Sequence, residues 1–226
     1  MNVETWEPVY EAILADFGFP RRADERARDA LAELADPFDE SRLARIAGAR
    51  VAVAGAGPSL SEELSIAAGA EYVIAASTAA DVLREAGIAP DLLVTDMDKN
   101  PETAVELTRE GVPVAVHAHG DNLAELREWV PRLALENVLP TTQAAPSGPV
   151  RNFGGFTDGD RGAFLADHFG ASRLLFPGWD FDDPTVSPTK ARKLRWAERL
   201  LRWLETRRGE RFAVLDGRRG GIDRIA

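Results

Sequence analysis

The sequence predicts an α/β fold: a Rossmann-like, mostly parallel sheet with helices on both faces, plus an N-terminal helical segment. Two observations carry this expectation. From residue 50 onward, short apolar runs alternate with stretches of helical spacing, and strands that are apolar throughout belong to a parallel sheet covered on both faces. Before residue 48 only helical spacing occurs.

Residues 1–47 set Trp6, Val9, Ile13, Leu14 and Phe17, then Ala27, Leu31, Leu34 and Leu43, among charges at intervals that put one face in a core. Residues 48–226 read as one α/β domain. Its strand runs are RVAVAGA (50–56), EYVIAAS (71–77), DLLVTD (91–96), VPVAVHA (112–118), ENVLPTT (136–142), SRLLFPG (172–178) and RFAVLD (211–216). Helices are expected between them near 60–69, 79–87, 102–110, 122–133, 160–169 and 188–207. The Pro- and Gly-rich stretch PTTQAAPSGPVRNFGG (140–155) is long for a connection inside a domain and reads as a functional loop.

Composition narrows the chemistry. The chain of 226 residues has no cysteine, so disulfides, thiolate nucleophiles and zinc–thiolate sites are excluded, and any metal must be held by oxygen or imidazole. A net charge of −10 opposes binding to nucleic acid or anionic lipid. The N-terminus carries acids where a signal peptide needs positive charge, and no apolar run is long enough for a membrane span, so a cytoplasmic location is expected. Lysine occurs only at Lys99, Lys190 and Lys193. Scarce lysine with abundant acid is a trait of proteins from salt-loving archaea, and a GC-rich genome favours the same bias toward arginine.

Three acidic clusters follow apolar runs: Asp96 and Asp98 in TDMD, Asp121 with His117 and His119 in HAHGDN, and Asp158 and Asp160 in GFTDGDR. Ligands of such sheets bind beyond the carboxyl ends of the strands, where all three clusters fall. If the chain stays extended, Asp96 and Asp98 emerge on one face, roughly 6–7 Å apart, close enough to share a cation. An Asx-turn with solvent-facing acids is the alternative. At the start of the helix near 160, Thr157 and Asp160 have capping-box spacing, which leaves Asp158 surplus. A helix N-terminus attracts phosphate and two aspartates repel it, so the surplus carboxylate makes sense if a divalent cation stands between them. Magnesium suits carboxylates that share a site with phosphates. His117 and His119 are expected as pocket lining or phosphate contacts, Arg161 and Lys99 as neutralising cations, and His168 as structural. In AGAGPSL (54–60), amides around Gly55, Gly57 and Ser59 are candidates for phosphate contact, although the loop lacks the third glycine of the dinucleotide fingerprint and Pro58 has no N–H.

The motifs GAGPSL, TDMD followed closely by Pro101 and Glu102, HAHGDN, NFGGFTDGDR, GWDF and the helix KARKLRWAERLLRWL, in this order over about residues 50–207, resemble the archaeal 6-hydroxymethyl-7,8-dihydropterin pyrophosphokinase family. Its catalytic domain is related to thiamine pyrophosphokinases. The resemblance implies magnesium-dependent transfer of a diphosphoryl group from ATP to a pterin hydroxymethyl group, with AMP released, on the route to tetrahydrofolate or methanopterin. It implies that Asp96, Asp98, Asp121, Asp158 and Asp160 are catalytic metal and phosphate positions. Lys99 and Asn100 stand where small residues are expected in that family. For the pterin, whose amidine-like edge and flat ring call for polar acceptors and aromatics, the candidates are Gln143, Asn152, Phe153, Phe156, Trp179 and Asp180. A homodimer is compatible with the sequence. Other readings are a pyrophosphokinase for another acceptor such as thiamine, a dehydrogenase or methyltransferase using AGAGPSL, and a non-catalytic nucleotide-binding module. The dehydrogenase needs an acid at the end of the second strand for a ribose, and VIAASTAAD has none before Asp81.

Overall fold

A computed structural model of the chain describes residues 3–225. Six strands form one sheet: β1 (Arg50–Ala54), β2 (Tyr72–Ala76), β3 (Leu92–Thr95), β4 (Val114–Ala118), β5 (Val138–Thr142) and β6 (Arg173–Leu175). The order is β5-β4-β3-β2-β1-β6, and every pairing is parallel. β2 to β5 step outward in succession while β6 returns to the far side of β1, so the order reverses beside β1. Pro140 lies within β5, an edge strand, where the missing N–H costs no ladder bond inside the sheet.

Helices cover both faces. One core joins α1 (Val3–Phe17), α7 (Asp158–His168) and α8 (Pro188–Arg208) through Trp6, Tyr10, Phe164, Leu200 and Leu204 to Val51, Val53 and Ile74 of the sheet. The other joins α2 (Arg21–Leu34), α3 (Leu64–Ala68), α4 (Ala79–Glu85), α5 (Pro101–Arg109) and α6 (Leu123–Trp129) through residues such as Leu31, Ala67, Leu83, Leu107 and Leu126. The N-terminal segment therefore contributes to both cores, α1 to one and α2 to the other. α2 packs on β5 and β4 at the end of the sheet, where only a bridge from Thr141 to Arg151 continues the ladder beyond β5.

The helices expected near 60–69 and 122–133 are each divided. A 3₁₀ turn at Pro58–Ser61 precedes α3, and a 3₁₀ turn at Val130–Arg132, with Pro131 inside it, ends α6. The seventh strand expected at 211–216 does not form: Ala213–Leu215 is a 3₁₀ turn. Its ladder groups are taken by side chains, since Phe212 N–H donates to Glu205 Oε1 at 2.8 Å and Arg219 donates to the Phe212 carbonyl at 2.7 Å. The apolar run serves instead as a plug, with Phe212 and Leu215 fully buried and Phe212 packed 4.8 Å from Phe176. No described helix is long and apolar enough to cross a membrane.

Candidate active site

A cavity of about 550 Å³ opens over the carboxyl ends of the strands. This is within the range of a small-ligand site. Its wall is drawn from the turns after β1, β2, β3 and β4, from Gln143 after β5, from the start of α7, and from the segment joining β6 to α8. The linker and first turn between α1 and α2 complete it with Phe19, Pro20, Ala23 and Asp24.

The two aspartates that open α7 have separate tasks. Asp160 is fully buried and turned back onto the cap: it accepts from the N–H of Phe156, from the N–H of Thr157 at 3.0 Å and from the Thr157 hydroxyl at 2.6 Å. With its oxygens committed there and the side chain outside the cavity lining, Asp160 is a capping residue and not the metal position expected from sequence. Asp158 faces the cavity, and its Oδ1 is buried without a hydrogen-bond partner; the Arg161 guanidinium is 3.6 Å away. The turn that delivers both depends on Gly155, whose φ is +94° and whose added Cβ would lie 2.6 Å from the Arg161 Cα. Gly155→Ala is therefore expected to cost about 2 kcal/mol or more in denaturant titration.

Asp96 and Asp98 meet differently from the extended arrangement the spacing suggested. Met97 is buried in the left-handed region with φ +68°, and Asp98 N–H points back to Asp96 Oδ1 at 3.3 Å. A tight Asx-type turn thus brings the two carboxyls together at the mouth of β3. His119 Nε2 lies 3.3 Å from Asp96 Oδ2, and Asp121 N–H points to His119 Nδ1 at 3.4 Å, an arrangement that suits the tautomer with its proton on Nε2. Burial opposes charge on Asp96, but its bonds to His119 and Asp98 outweigh this and hold it well below the usual carboxylate range. Burial, then the bond shared with Asp96 and that group's charge, push Asp98 up to about 6. Asp158 is pushed up to about 8 by burial and the charge of Asp96, against the pull of Arg161. The charge of Asp96 opposes ionisation of both Asp98 and Asp158, a repulsion that a proton or a divalent cation relieves.

The donor set fits magnesium: hard carboxylate oxygens, one of them unpartnered, beside a cavity. Among the described residues no three acids or histidines already stand as a cage for an ion. Magnesium does not need one, because it keeps water and shares one or two carboxylates with substrate phosphates.

The glycine loop departs from its expected role. Gly55 N–H donates to the Pro177 carbonyl, Gly57 N–H to Gly178, each at 2.9 Å, and Ser59 N–H to Asp180 Oδ2 at 2.9 Å. The three candidate phosphate-binding amides are spent joining the β1 turn to the strap after β6. Close approach explains the glycines, since a Cβ on either would overlap the Gly178 carbonyl, and at Gly57 the Asp180 carboxylate as well.

A family model described as 6-hydroxymethylpterin diphosphokinase MptE-like matches residues 26–185. Three archaeal relatives, each named 6-hydroxymethyl-7,8-dihydropterin pyrophosphokinase, are similar over 91% of the chain. That of Methanothermobacter thermautotrophicus is 40% identical with 96% of its length covered, and that of Pyrococcus furiosus is 40% identical with 95% covered. That of Methanocaldococcus jannaschii is 33% identical with 96% covered. The chain belongs to the MptE-like family.

Within this MptE-like protein, the expected pterin contacts divide by what their polar groups already hold. Gln143 donates to Asp24 Oδ2 at 2.7 Å and accepts from Arg161 at 2.9 Å, so both ends of its amide are engaged. Asn152 is engaged with the backbone of Gln143, Ala144 and Gly154 and stays outside the cavity, where it shapes the 143–154 loop. Asp180 holds Ser59, as above, while still reaching the cavity wall. Phe156 and Trp179 line the cavity; Trp179 is fixed by donating to the Val53 carbonyl at 2.8 Å. Phe153 packs on His168 at the end of α7, outside the lining. His117 is also outside it, fully buried with Nδ1 3.1 Å from the Thr141 hydroxyl; burial, then Arg161 and His119, drive its pKa well below the usual value and keep it neutral. His119, Asp121, Arg161 and Lys99 do line the cavity.

Asp24 is the site residue that sequence reasoning missed. Buried on α2, it accepts from Tyr10 OH at 2.6 Å, Gln143 Nε2 at 2.7 Å and Gly120 N–H at 2.7 Å. It therefore ties the N-terminal helices, the β4 turn and, through Gln143, Arg161 into one network. Burial and the bond to Asp24 raise the Tyr10 pKa well above the usual value, so Tyr10 remains a donor. Asp24→Ala leaves three buried donors without an acceptor and is expected to cost about 3 kcal/mol, against about 1 kcal/mol for Tyr10→Phe, measured by denaturant unfolding. A lone aspartate among the many charges of α2 carries no local signal; the amphipathic register, which puts Asp24 one turn before Ala27 on the buried side, is the only hint.

Proposed function

We propose that this protein transfers a diphosphoryl group from ATP to the hydroxymethyl group of 6-hydroxymethyl-7,8-dihydropterin and releases AMP, with magnesium required. The observation that carries the reading is the convergence of Asp96, Asp98 and Asp158 at one cavity mouth, with His119 and Arg161 orienting two of them, in a chain whose relatives are named 6-hydroxymethyl-7,8-dihydropterin pyrophosphokinase. The cavity is lined by seven aspartates against four lysine and arginine side chains, so a triphosphate entering alone meets net repulsion. Magnesium, when bound by Asp96, Asp98 and Asp158, offsets charge on the phosphate oxygens.

In the transfer, the pterin hydroxyl oxygen forms a bond to the β-phosphorus while the bond from that phosphorus to the bridging α,β-oxygen breaks. The electron pair leaves with AMP, and the hydroxyl proton passes to a lining carboxylate or to water. The chain's own contribution is positioning and electrostatics. His119 holds Asp96 in its charged form, Arg161 sets Asp158 against the cavity, and Phe156 and Trp179 offer flat apolar surface on which a fused ring can stack. The occupied amides of Gly55, Gly57 and Ser59 argue against a dinucleotide cofactor cradled by that loop.

Chromatography of nucleotides after incubation, at low and at molar salt because of the acidic surface, tests the reading. AMP is expected to accumulate only with magnesium and the pterin together, and thiamine is expected to be a poor acceptor. ADP as product, or no pterin-dependent AMP from folded protein at either salt, overturns it.

A further inference from the structure

The chain has three lysines among its 27 basic residues, and all three line this cavity. Every ion pair between described residues is made by arginine or His119, and none by a lysine. A protein that meets its structural needs for positive charge with arginine has reserved the ammonium group for this place. Arginine's fork suits fixed carboxylate partners, whereas lysine is a compact point charge suited to phosphate oxygens whose positions change during a reaction.

Lys190 and Lys193 stand three residues apart in the first two turns of α8, on the same side of the helix. The Lys193 ammonium lies 5.9 Å from the centre of the Phe156 ring. Lys99 follows Asp98 on the turn after β3. The groups are near enough to affect one another: burial, then Lys99, lowers the Lys190 pKa, with Asp158 acting in the opposite sense and Lys193 adding to the lowering. Like charges gathered without carboxylate partners destabilise a protein unless an anion is bound between them. The acids stand at the strand ends and Lys190 and Lys193 on α8, and both line the same cavity, so a polyphosphate bound there meets carboxylate-held cations and ammonium groups together.

We propose that Lys190 and Lys193, with Lys99 beside the acids, form the clamp that holds the transferred diphosphoryl group. This deepens the reading of the site as a diphosphokinase and rests on it for the identity of the nucleotide. The polyphosphate-binding part stands on the lysines alone.

The test is calorimetric titration of the folded full-length protein with inorganic pyrophosphate and with ATP, each with magnesium, alongside steady-state kinetics. Lys190→Met and Lys193→Met are each expected to weaken both ligands at least ~10-fold, and the double variant more, as loss of a charge-assisted contact does. Binding of AMP and of the pterin is expected to stay within ~2-fold. Lys190→Arg is expected to recover part of the affinity. Arg195→Met makes the same charge change on an exposed part of α8 outside the cavity, and is expected to leave pyrophosphate binding unchanged. Melting curves establish that each variant is folded, and relief of repulsion predicts unchanged or higher melting temperatures for the lysine variants. Wild-type affinity for pyrophosphate in the folded double variant, or an equal loss in Arg195→Met, overturns the clamp even if AMP is formed. Lysine-dependent pyrophosphate binding without AMP formation upholds the clamp and overturns the assigned reaction.

Discussion

Asp96→Asn and Asp98→Asn are each expected to yield a folded protein whose turnover falls at least ~100-fold, the usual loss when a preorganised electrostatic group is removed from a reaction centre. The fold should tolerate both. Partial burial of the Asp98 carboxyl, together with the charge of Asp96, makes its ionisation unfavourable, so the amide removes a repulsion. Asp96 makes two long side-chain contacts, with the Asp98 N–H and with His119, each at 3.3 Å, and an asparagine oxygen can still accept one of them. The loss belongs to charge: a carboxylate pair that attracts a divalent cation becomes a single carboxylate beside an amide. Initial rates over a magnesium series, with circular dichroism on the same samples, separate the two effects. Activity that recovers at high magnesium places the residue in metal binding, and wild-type rates at all magnesium levels remove it from the mechanism.

The second large effect distinguishes neighbours two residues apart. Asp158→Asn is expected to abolish most activity, again at least ~100-fold, with an unchanged or raised melting temperature, because the residue places an unpartnered oxygen beside other carboxylates. Asp160→Ala is expected to destabilise by about 2 kcal/mol, since it strips the α7 cap and leaves the Phe156 and Thr157 donors unpaired. A loss of that size lowers the melting temperature by roughly 4–8 °C in a chain of this length. Loss of activity in Asp160→Ala should follow its loss of fold, whereas in Asp158→Asn it should appear with the fold intact. A silent Asp158→Asn in the folded protein contradicts the role given to this residue.

The distinction was half legible in the sequence. The spacing of Thr157 and Asp160 reads as a capping box, and the surplus of Asp158 follows from counting. The TDMD and HAHGDN clusters were legible as strand exits because continuous apolar runs precede them, and the structure sets Asp96, Asp98, His119 and Asp121 on one cavity. The glycine loop misled because a strand, a tight turn and a helix start can look alike whether the amides face a ligand or a neighbouring strap. Only the strap, more than 120 residues away for Gly55 and Gly57, decides which.

The sequence by itself determined what depends on near neighbours along the chain. Continuous runs such as VAVA and YVIAA set a buried parallel sheet, helical spacing set the covering layers, and the strand exits mark where the cavity opens. It failed at RFAVLD, where the same apolar pattern was drawn into a 3₁₀ plug by Glu205 and Arg219. Tertiary structure decided which polar groups remain free. Gln143 is held by Asp24 from 119 residues away and the Ser59 amide by Asp180 from 121, while Lys190 and Lys193 share a cavity with the acids only because α8 begins there. The physical reason is that secondary structure follows from periodic burial and local backbone preference, both written within a few residues. A hydrogen-bonding group is committed or left available by whichever partner the packed chain brings to it, and that partner has no fixed distance in sequence.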